Sequence, residues 1–177
     1  FSVDGKPWPK NYYGSFYGKQ TVREAIKISG NVIPVRILNQ IGVSKSVEYL
    51  NKMNMKVQST TGLSLALGSA EFTPLQMAAA YATFARGGIY IEPYSFTSAE
   101  FLDTGEVYTV TPEKRTVMSE ATAYMINIIL RKAVTNNYVS AGSKSGTDIA
   151  SKTGTSTIDS KYIKSLGIKG DVIGDSW

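Results

Sequence analysis

The stretch Lys152-Thr153-Gly154-Thr155-Ser156 combines a cation, several hydroxyl groups and a glycine within five residues. The whole sequence contains no histidine and no cysteine. The usual base of a serine hydrolase, the thiol nucleophile and the common zinc ligands are therefore absent. If the protein performs nucleophilic chemistry, a hydroxyl group must attack and a lysine is the best candidate for the proton acceptor. Lys152 suits the role of the lysine that assists such a reaction. These residues do not identify the nucleophile.

The length and composition of the chain suit one domain or part of a larger one, since it has 177 residues. With 42% hydrophobic and 11% aromatic residues it can build a core, so disorder is not expected. No apolar run approaches the roughly 20 residues of a membrane span. The sequence begins at Phe1 and stops at Trp177 where an apolar segment starts, so we expect a piece of a longer protein.

The net charge of the chain is +5, and several lysines cluster toward its C-terminus. We interpret this cluster as a solvated basic face, because no arginine patch interleaved with aromatic residues accompanies it, and we expect no nucleic-acid partner. A weaker alternative is attraction to an acidic polymer or to a carboxylate-bearing substrate. The lysines in question are Lys144, Lys152, Lys161, Lys164 and Lys169.

Residues 1–19 are rich in Pro, Gly, Tyr and Asn, which predicts an irregular surface segment. Beyond it, capping signals predict most of the helices. Thr21-Val22-Arg23-Glu24 and Thr73-Pro74-Leu75-Gln76 each have the form of a capping box. The helices that follow are expected to end near Ile28 and Ala85.

Ser44 and Ser119 are the expected N-caps of two further helices, the second with Met125, Ile126, Ile129 and Leu130 toward the core. The helix after Ser44 is expected over about residues 44–53, and the helix after Ser119 over about residues 119–134. A further helix is expected over about residues 34–41.

Alternating patterns predict strands in the second half of the chain. Residues 89–96 and 107–110 alternate like strands, and Asp103-Thr104-Gly105-Glu106 supplies a hairpin turn between them. Ile149-Ala150 is expected to lead into the Lys152 segment as a further strand, and residues 171–177 approach another. A helix-rich chain with late strands is typical of the α+β class.

On a strand, the side chains around Lys152 would alternate. Lys152 and Gly154 would share one face while Thr153 and Thr155 share the other, and a bulge at Gly154 could turn them toward one ligand. Lysine and threonine side chains suit a carboxylate, and free N–H groups at a sheet edge suit a developing oxyanion. Taken alone, however, this tripeptide is more simply an exposed edge strand. A phosphate loop is excluded, because Ser151 stands where that motif requires glycine.

Ser29-Gly30-Asn31 places a hydroxyl group and an amide at a break between two helices. In isolation, the favoured interpretation is structural, because Ser and Asn occur often at helix ends and Asn31 would cap the next helix. In the functional alternative, Ser29 passes a proton and Asn31 holds a substrate amide.

Taken together, these motifs resemble the transpeptidase domain of bifunctional, class A penicillin-binding proteins. The similarity covers nearly the whole chain, with the motifs in the family's order. It implies an α+β fold that is a partial penicillin-binding-protein or serine β-lactamase-like fold, with a helix-rich subdomain and an incomplete antiparallel sheet. The similar segments are residues 21–25, 29–36, 67–78, 81–88, 117–125 and 151–155.

The resemblance implies roles for six residues. Ser29 would shuttle a proton between a catalytic lysine and the leaving amine, and Asn31 would hydrogen-bond the backbone of the donor peptide. Lys152 would orient Ser29 and supply positive potential near the terminal carboxylate of the substrate. The expected substrate-binding residues are Thr153, Gly154 and Thr155.

Within that group, the hydroxyls of Thr153 and Thr155 would bind the substrate carboxylate, while Gly154 lets another backbone approach closely. The N–H of Thr155 would form half of the oxyanion hole, a kind of donor worth about 2.7–4 kcal/mol in other enzymes.

The activity implied by the resemblance is acyl transfer. An active serine attacks a D-Ala-D-Ala peptide bond and releases D-alanine, and an amine of a neighbouring strand resolves the acyl-enzyme. The implied partners are peptidoglycan stem peptides and β-lactams, with no cofactor and no metal. The implied location is the outer face of the bacterial cytoplasmic membrane, through an anchor outside this chain. The sequence gives no indication of the oligomeric state.

One element of the family pattern is missing. No Ser-x-x-Lys occurs among the 177 residues, and Ser15 misses by one position because Lys19 is four residues away. We therefore expect residues 1–177 to be a partial transpeptidase domain that lacks the upstream Ser-x-x-Lys region and the downstream strands and closing helix. The full-length protein would be the enzyme, and these residues alone would be inactive.

Two other hypotheses compete with the enzyme. The first is a non-catalytic relative that binds penicillin or peptides and acts as a sensor or scaffold. The second is a helical interaction module in which both motifs are only caps and loops. The enzymatic hypothesis requires Lys152 and Ser29 to converge on one crevice.

Overall fold

The computed structural model describes residues 2–3, 5–57, 59–134, 146–158, 160–169 and 173–176. Within these ranges the chain forms α-helices, short antiparallel strand pairs and a 3-10 segment at Ser59–Leu67. The helices are α1 (Val22–Lys27), α2 (Val32–Ile41), α3 (Val43–Lys52), α4 (Pro74–Ala85), α5 (Glu120–Val134) and α6 (Ser160–Ser165). The strands are β1 (Ser2–Val3), β2 (Lys6–Pro7), β3 (Ile89–Ile91), β4 (Ser98–Glu100), β5 (Val107–Thr109), β6 (Lys114–Thr116), β7 (Thr155–Thr157) and β8 (Ile173–Ser176).

Both predicted capping boxes are confirmed. The backbone N–H of Glu24 donates to Thr21 Oγ1 at 3.2 Å, and the N–H of Thr21 donates to the Glu24 carboxylate at 2.9 Å. At the start of α4 the same reciprocal bonds join Thr73 and Gln76 at 3.2 and 2.9 Å. Each box satisfies N–H groups that a helix N-terminus leaves without intrahelical partners, which fixes where α1 and α4 begin.

The junction of α2 and α3 corrects one prediction. The cap of α3 is Gly42 rather than Ser44, and no side chain caps this helix. The Gly42 N–H donates to the Leu38 carbonyl at 2.8 Å, and its φ is +86°. Because glycine adopts positive φ without a steric penalty, this single residue ends α2 and begins α3.

Helix α5 begins where the sequence predicts, since the N–H of Thr122 donates to Ser119 Oγ at 3.2 Å. It packs against α1 and α4, with Ala123 and Leu130 buried. The prediction that Met125 faces the core is wrong, because its side chain is 57% exposed. Met125 follows Ala123 by two residues and therefore lies about 200° around the helix from the buried face.

The strand pairing differs from the expected single hairpin. β3 pairs antiparallel with β6, and β4 pairs antiparallel with β5. The expected pairing of residues 89–96 with 107–110 is therefore wrong, because β5 pairs with β4, a strand not predicted, and this hairpin is nested inside the β3–β6 pair. The predicted strand over residues 89–96 ends early, at Ile91. The predicted turn is present, since Gly105 donates from its N–H to the Phe101 carbonyl at 2.7 Å.

The main core lies between α4, the end of α3 and the β3–β6 pair. Tyr90 is 2% exposed, and the guanidinium of Arg115 stacks 5.3 Å from its ring centroid. The described part of the chain has no helix both long and apolar enough to span a membrane. The buried residues of the main core are Met53, Met55, Ala79, Ala80, Tyr90 and Val117.

Candidate active site

Ser29 lies in the turn that closes α1. Its N–H donates to the Ile26 carbonyl at 3.1 Å, and the Gly30 N–H donates to the Ala25 carbonyl at 2.7 Å. This pair of bonds is a Schellman motif in which the residue after the C-cap adopts left-handed backbone angles. That residue is Ser29, with φ +57°. Glycine usually occupies this position, so the serine costs about 1–2 kcal/mol of backbone strain.

Asn31 begins α2 but does not cap it through its side chain. Its Nδ2 donates to the Lys10 carbonyl at 2.8 Å, and its backbone N–H donates to Asn11 Oδ1 at 2.9 Å. Asn11 is buried, and its own amide donates to the Ser15 carbonyl at 2.7 Å. Asn31 thus stands at the expected N-cap position of α2, but its side chain donates to the N-terminal segment instead of capping the helix.

Lys152 and Ser29 converge, as the enzymatic hypothesis requires. The Lys152 ammonium donates to Ser29 Oγ at 2.8 Å and to the Thr153 carbonyl at 2.7 Å. Ser29 is exposed and Lys152 is half-buried, so the hydrogen bond faces an open surface. The two motifs far apart in the chain thus form one site.

The environment of Lys152 disfavours its charge. Burial lowers the pKa of the Lys152 ammonium below the ordinary lysine value of 10.5. No salt bridge to Lys152 is present in the described residues, so the two oxygen acceptors are its principal stabilisation. A lysine held in this way can donate a hydrogen bond, and it gives up a proton more readily than an exposed lysine does.

The segment around Lys152 is not the strand expected from the sequence. The strand β7 begins only at Thr155, so residues 152–154 lie just before it. β7 pairs antiparallel with β8, in the register Thr155 with Ser176, and the irregularity of the pair lies between Ser156 and Thr157 rather than at Gly154. Within the described ranges β7 has one partner strand, so its other edge is open there.

The six expected site residues are thus brought together only in part. Ser29 and Lys152 are in direct contact, and Asn31 lies at the start of the next helix. Thr153 holds Lys152 through its carbonyl. In the described residues no hydrogen bond joins the Thr153 or Thr155 hydroxyl to Ser29 or Asn31, and no acidic cluster is placed to hold a metal ion.

Sequence reasoning missed Lys10 and Asn11, which hold Asn31 in place. Both lie about twenty residues before it, in the segment expected to be an irregular surface stretch. The burial of Asn11 depends on the fold around it, and nothing in its neighbours signals it. Asparagine is common in surface turns, so its presence near a turn does not single out Asn11 as a supporting residue.

The strain at Ser29 leads to a stability prediction. We expect the Ser29→Gly variant to be more stable than Ser29→Ala by about 1 kcal/mol, because both lose the hydroxyl but only glycine relieves the left-handed strain. Urea denaturation of the two variants measures the difference in the free energy of unfolding.

The control is Ser46 in α3, which has ordinary helical geometry. There the order should invert, with Ser46→Gly less stable than Ser46→Ala by about 1 kcal/mol. The same sign at both positions would contradict the assignment of strain to Ser29.

Comparisons with known proteins point to one family. The sequence model described as "Penicillin binding protein transpeptidase domain" matches residues 2–166. Penicillin-binding protein 1A/1B of Bacillus subtilis is 31% identical over 182 residues, covering 98% of this chain and 19% of that protein. Penicillin-binding protein 1F of the same organism is 34% identical over 151 residues, covering 84% of this chain and 21% of its own length.

Solved structures give the same result. Penicillin-binding protein 1A of Haemophilus influenzae superposes with a TM-score of 0.72 at 26% identity, over 90% of this chain and 30% of that one. Penicillin-binding protein A of M. tuberculosis, in a ceftriaxone acyl-enzyme complex, gives 0.68 at 25% identity, over 85% of this chain and 39% of that one. The α+β fold and its partial character are confirmed, since the chain spans about a fifth of the length of its B. subtilis relatives. On this match to residues 2–166 and these relatives, the chain belongs to the transpeptidase family of penicillin-binding proteins.

Proposed function

We propose that this chain is part of a peptidoglycan transpeptidase that cross-links stem peptides by acyl transfer from D-Ala-D-Ala and that β-lactams acylate. The observation that carries the proposal is the 2.8 Å hydrogen bond from the Lys152 ammonium to Ser29 Oγ. A lysine and a serine in direct contact form a proton relay that needs no histidine, in a chain that contains none.

In the proposed reaction, the attacking serine and its lysine belong to a Ser-x-x-Lys element outside these 177 residues. As the tetrahedral intermediate collapses, the Ser29 hydroxyl gives its proton to the leaving amine and takes one from that lysine. The Lys152 ammonium holds the Ser29 oxygen in position while this proton passes. The acyl-enzyme is then resolved by an amine of a neighbouring peptide.

The remaining site residues recognise the substrate. Lys152 and the hydroxyls of Thr153 and Thr155 bind the terminal carboxylate, and the small Gly154 leaves room for the peptide backbone. Thr155 opens β7, whose open edge suits a backbone N–H donated to the oxyanion. The Asn31 side chain uses one N–H of its amide for the Lys10 carbonyl, and its Oδ1 accepts a hydrogen bond from the backbone of the donor peptide.

The conformation of Ser29 supports this role. Non-glycine residues with left-handed backbone angles are uncommon, and they occur preferentially at functional sites, where strain is tolerated for positioning. A glycine in place of Ser29 would suit the turn better, but it would remove the hydroxyl that contacts Lys152. The strain is therefore consistent with retention of the hydroxyl for chemistry.

The proposed partners are stem peptides and β-lactams, and the proposed location is the outer face of the cytoplasmic membrane, through an anchor outside this chain. An M. tuberculosis relative at 25% identity forms an acyl-enzyme with ceftriaxone, which supports β-lactam acylation here.

Fluorescent penicillin labelling tests the proposal. We expect the full-length protein to be labelled covalently, with the label stable to denaturation, because a serine ester forms. The 177 residues alone should remain unlabelled, because they carry no Ser-x-x-Lys.

The matched control is full-length protein preincubated with unlabelled penicillin, which should abolish the signal. Labelling of the 177 residues alone would contradict the proposed position of the nucleophile. Absence of labelling in the full-length protein would favour a non-catalytic binding protein.

The pH dependence of acylation gives a further prediction. Because burial lowers the pKa of Lys152 below 10.5, the protonated form should be lost, and the rate should fall, at a lower pH than an ordinary lysine would give. In Lys152→Arg the guanidinium stays charged, so the alkaline limb should move to higher pH even if the overall rate is reduced. Stopped-flow measurement of acylation across pH compares the two proteins. Alkaline limbs at the same pH would show that Lys152 does not set this limb.

A further inference from the structure

A cavity of about 540 Å³ lies between α1 and the N-terminal segment. One wall is α1 and its end, through Glu24, Lys27 and Ile28, and Ile28 directly precedes Ser29. The opposite wall is the N-terminal segment, through Tyr13, Tyr17 and Lys19. The proposed function assigns no role to this cavity.

The segment that forms the second wall is tied to the site. Asn11 accepts a hydrogen bond from the backbone N–H of Asn31 at 2.9 Å, and it donates to the Ser15 carbonyl at 2.7 Å. The Lys10 carbonyl accepts from the side chain of Asn31 at 2.8 Å. These bonds tie the segment that carries Tyr13 and Tyr17 to Asn31, the residue proposed to hold the donor peptide.

The charge of the cavity is positive. Lys19 and Lys27 both line it, and in the described residues no hydrogen bond or salt bridge occupies either ammonium group. Glu24 is the acidic residue of the lining, but its carboxylate is turned to Thr21, accepting from the backbone N–H at 2.9 Å and the hydroxyl at 2.8 Å. Glu24 still interacts electrostatically with Lys27, so two lysines against one carboxylate leave the lining with a net positive charge that suits an anion.

The aromatic part of the lining is exposed. Tyr13 is 70% exposed and Tyr17 is 45% exposed, although large aromatic side chains are usually buried. The ring of Tyr13 is held edge-on against Tyr12 with 5.3 Å between centroids. Exposed tyrosines offer apolar faces and phenol groups to a ligand at a low cost in side-chain entropy.

We propose that this cavity is a subsite for a carboxylate-bearing segment of the peptide substrate, upstream of the bond that reacts. Lys19 and Lys27 bind the carboxylate and Tyr17 packs against the adjoining aliphatic part of the peptide. This inference rests on the proposed transpeptidase function, which it extends by naming a determinant of substrate choice.

The charge of the peptide provides the first test. The probes are synthetic peptides ending in D-Ala-D-Ala with either glutamate or glutamine at one upstream position, and release of D-alanine by the full-length protein gives kcat/KM. We expect a preference for the glutamate peptide, which the double variant Lys19→Gln, Lys27→Gln reduces about fivefold, the upper range for exposed ion pairs. High salt should reduce the same preference in the unmodified protein.

The control variant is Lys6→Ala, because Lys6 is an exposed lysine of the same segment that does not line the cavity. It should keep the full preference. Penicillin acylation is measured in parallel as a readout of the reactive site, and it should be unchanged in the double variant. If the unmodified protein fails to react with penicillin, the proposed function fails; if penicillin reacts but the preference is absent or survives in the double variant, the subsite is overturned.

The tyrosine contributes through packing, which gives an independent measurement. Tyr17→Ala should raise KM for the peptide about fivefold with little change in kcat, since an aromatic contact is lost equally from ground and transition states. Tyr94→Ala is the matched control, because Tyr94 is 53% exposed and does not line the cavity. Equal effects of the two substitutions would overturn the assignment of Tyr17.

Discussion

Replacement of Lys152 by alanine in the full-length protein is expected to lower the rate of penicillin acylation about 10²- to 10⁴-fold, the range for loss of a positioned proton-transfer group. The ammonium group is the donor to Ser29 Oγ at 2.8 Å, so its removal leaves the relay hydroxyl free to rotate. It also removes the positive charge proposed to face the substrate carboxylate. Loss of the relay position acts in the transition state and lowers kcat, whereas loss of the charge also weakens binding of the carboxylate in the ground state and raises KM. We therefore expect kcat to fall and kcat/KM to fall further.

The matched control is Lys164→Ala, an exposed lysine of α6 in the same basic C-terminal region. It should leave acylation within about twofold, because an exposed charge that takes no part in the proposed relay contributes little. Since the Lys152→Ala protein must also be folded, its thermal unfolding is compared with that of the control. Acylation by folded Lys152→Ala at the normal rate would contradict the proposed role of Lys152.

Much of the helical part of the fold can be predicted from the sequence because its signals are local. The capping boxes at Thr21 and Thr73 act over three residues, and both lie where the sequence predicts. The cap of α3 lies two residues before the predicted Ser44, because a serine at a helix start resembles a cap whether or not its side chain turns back. Gly42 occupies the cap position because of its backbone angles, which cannot be read directly from the sequence.

The strand pairing is harder to predict, because it depends on residues far apart in the chain. The alternating pattern of residues 89–96 does not specify whether the partner is β5 or β6. The prediction for the Lys152 segment is wrong for a related reason. Residues 152–154 fit the same alternating side-chain pattern as β7, so this pattern does not show where the strand begins. The position of β8 decides where pairing begins.

The residue types of the candidate site can be predicted from the sequence, but the backbone conformation and the contacts that hold these residues in place cannot. The approach of Lys152 to Ser29 is expected from the resemblance, whereas the left-handed backbone of Ser29 is not. Nothing in the local sequence distinguishes a strained serine from an ordinary loop serine. The role of Asn11 in holding Asn31 likewise depends on a contact across the fold.

The second large effect is expected at Gly88, where substitution by alanine should lower the free energy of unfolding by about 2–5 kcal/mol, combining left-handed strain with overpacking. Gly88 has φ +88°, and a Cβ there would lie 2.3 Å from the Met118 carbonyl oxygen. Backbone hydrogen bonds hold Gly88 in place, so its backbone cannot easily shift to relieve this contact. The Gly88 N–H donates to the Thr83 carbonyl at 2.9 Å, and its carbonyl accepts from the buried Val117 at 2.9 Å.

Gly105→Ala separates the two causes. Gly105 has φ +70° but no atom within 4 Å of the position of its Cβ, so its substitution should cost only the strain, about 1–2 kcal/mol. Urea denaturation of both variants gives the difference, which measures the collision with Met118. The collision is with a backbone oxygen, so Met118→Ala should not rescue Gly88→Ala in the double variant. Met118 Cγ lies 2.9 Å from the same Cβ position. Rescue would mean that this side-chain atom, rather than the carbonyl oxygen, blocks the site.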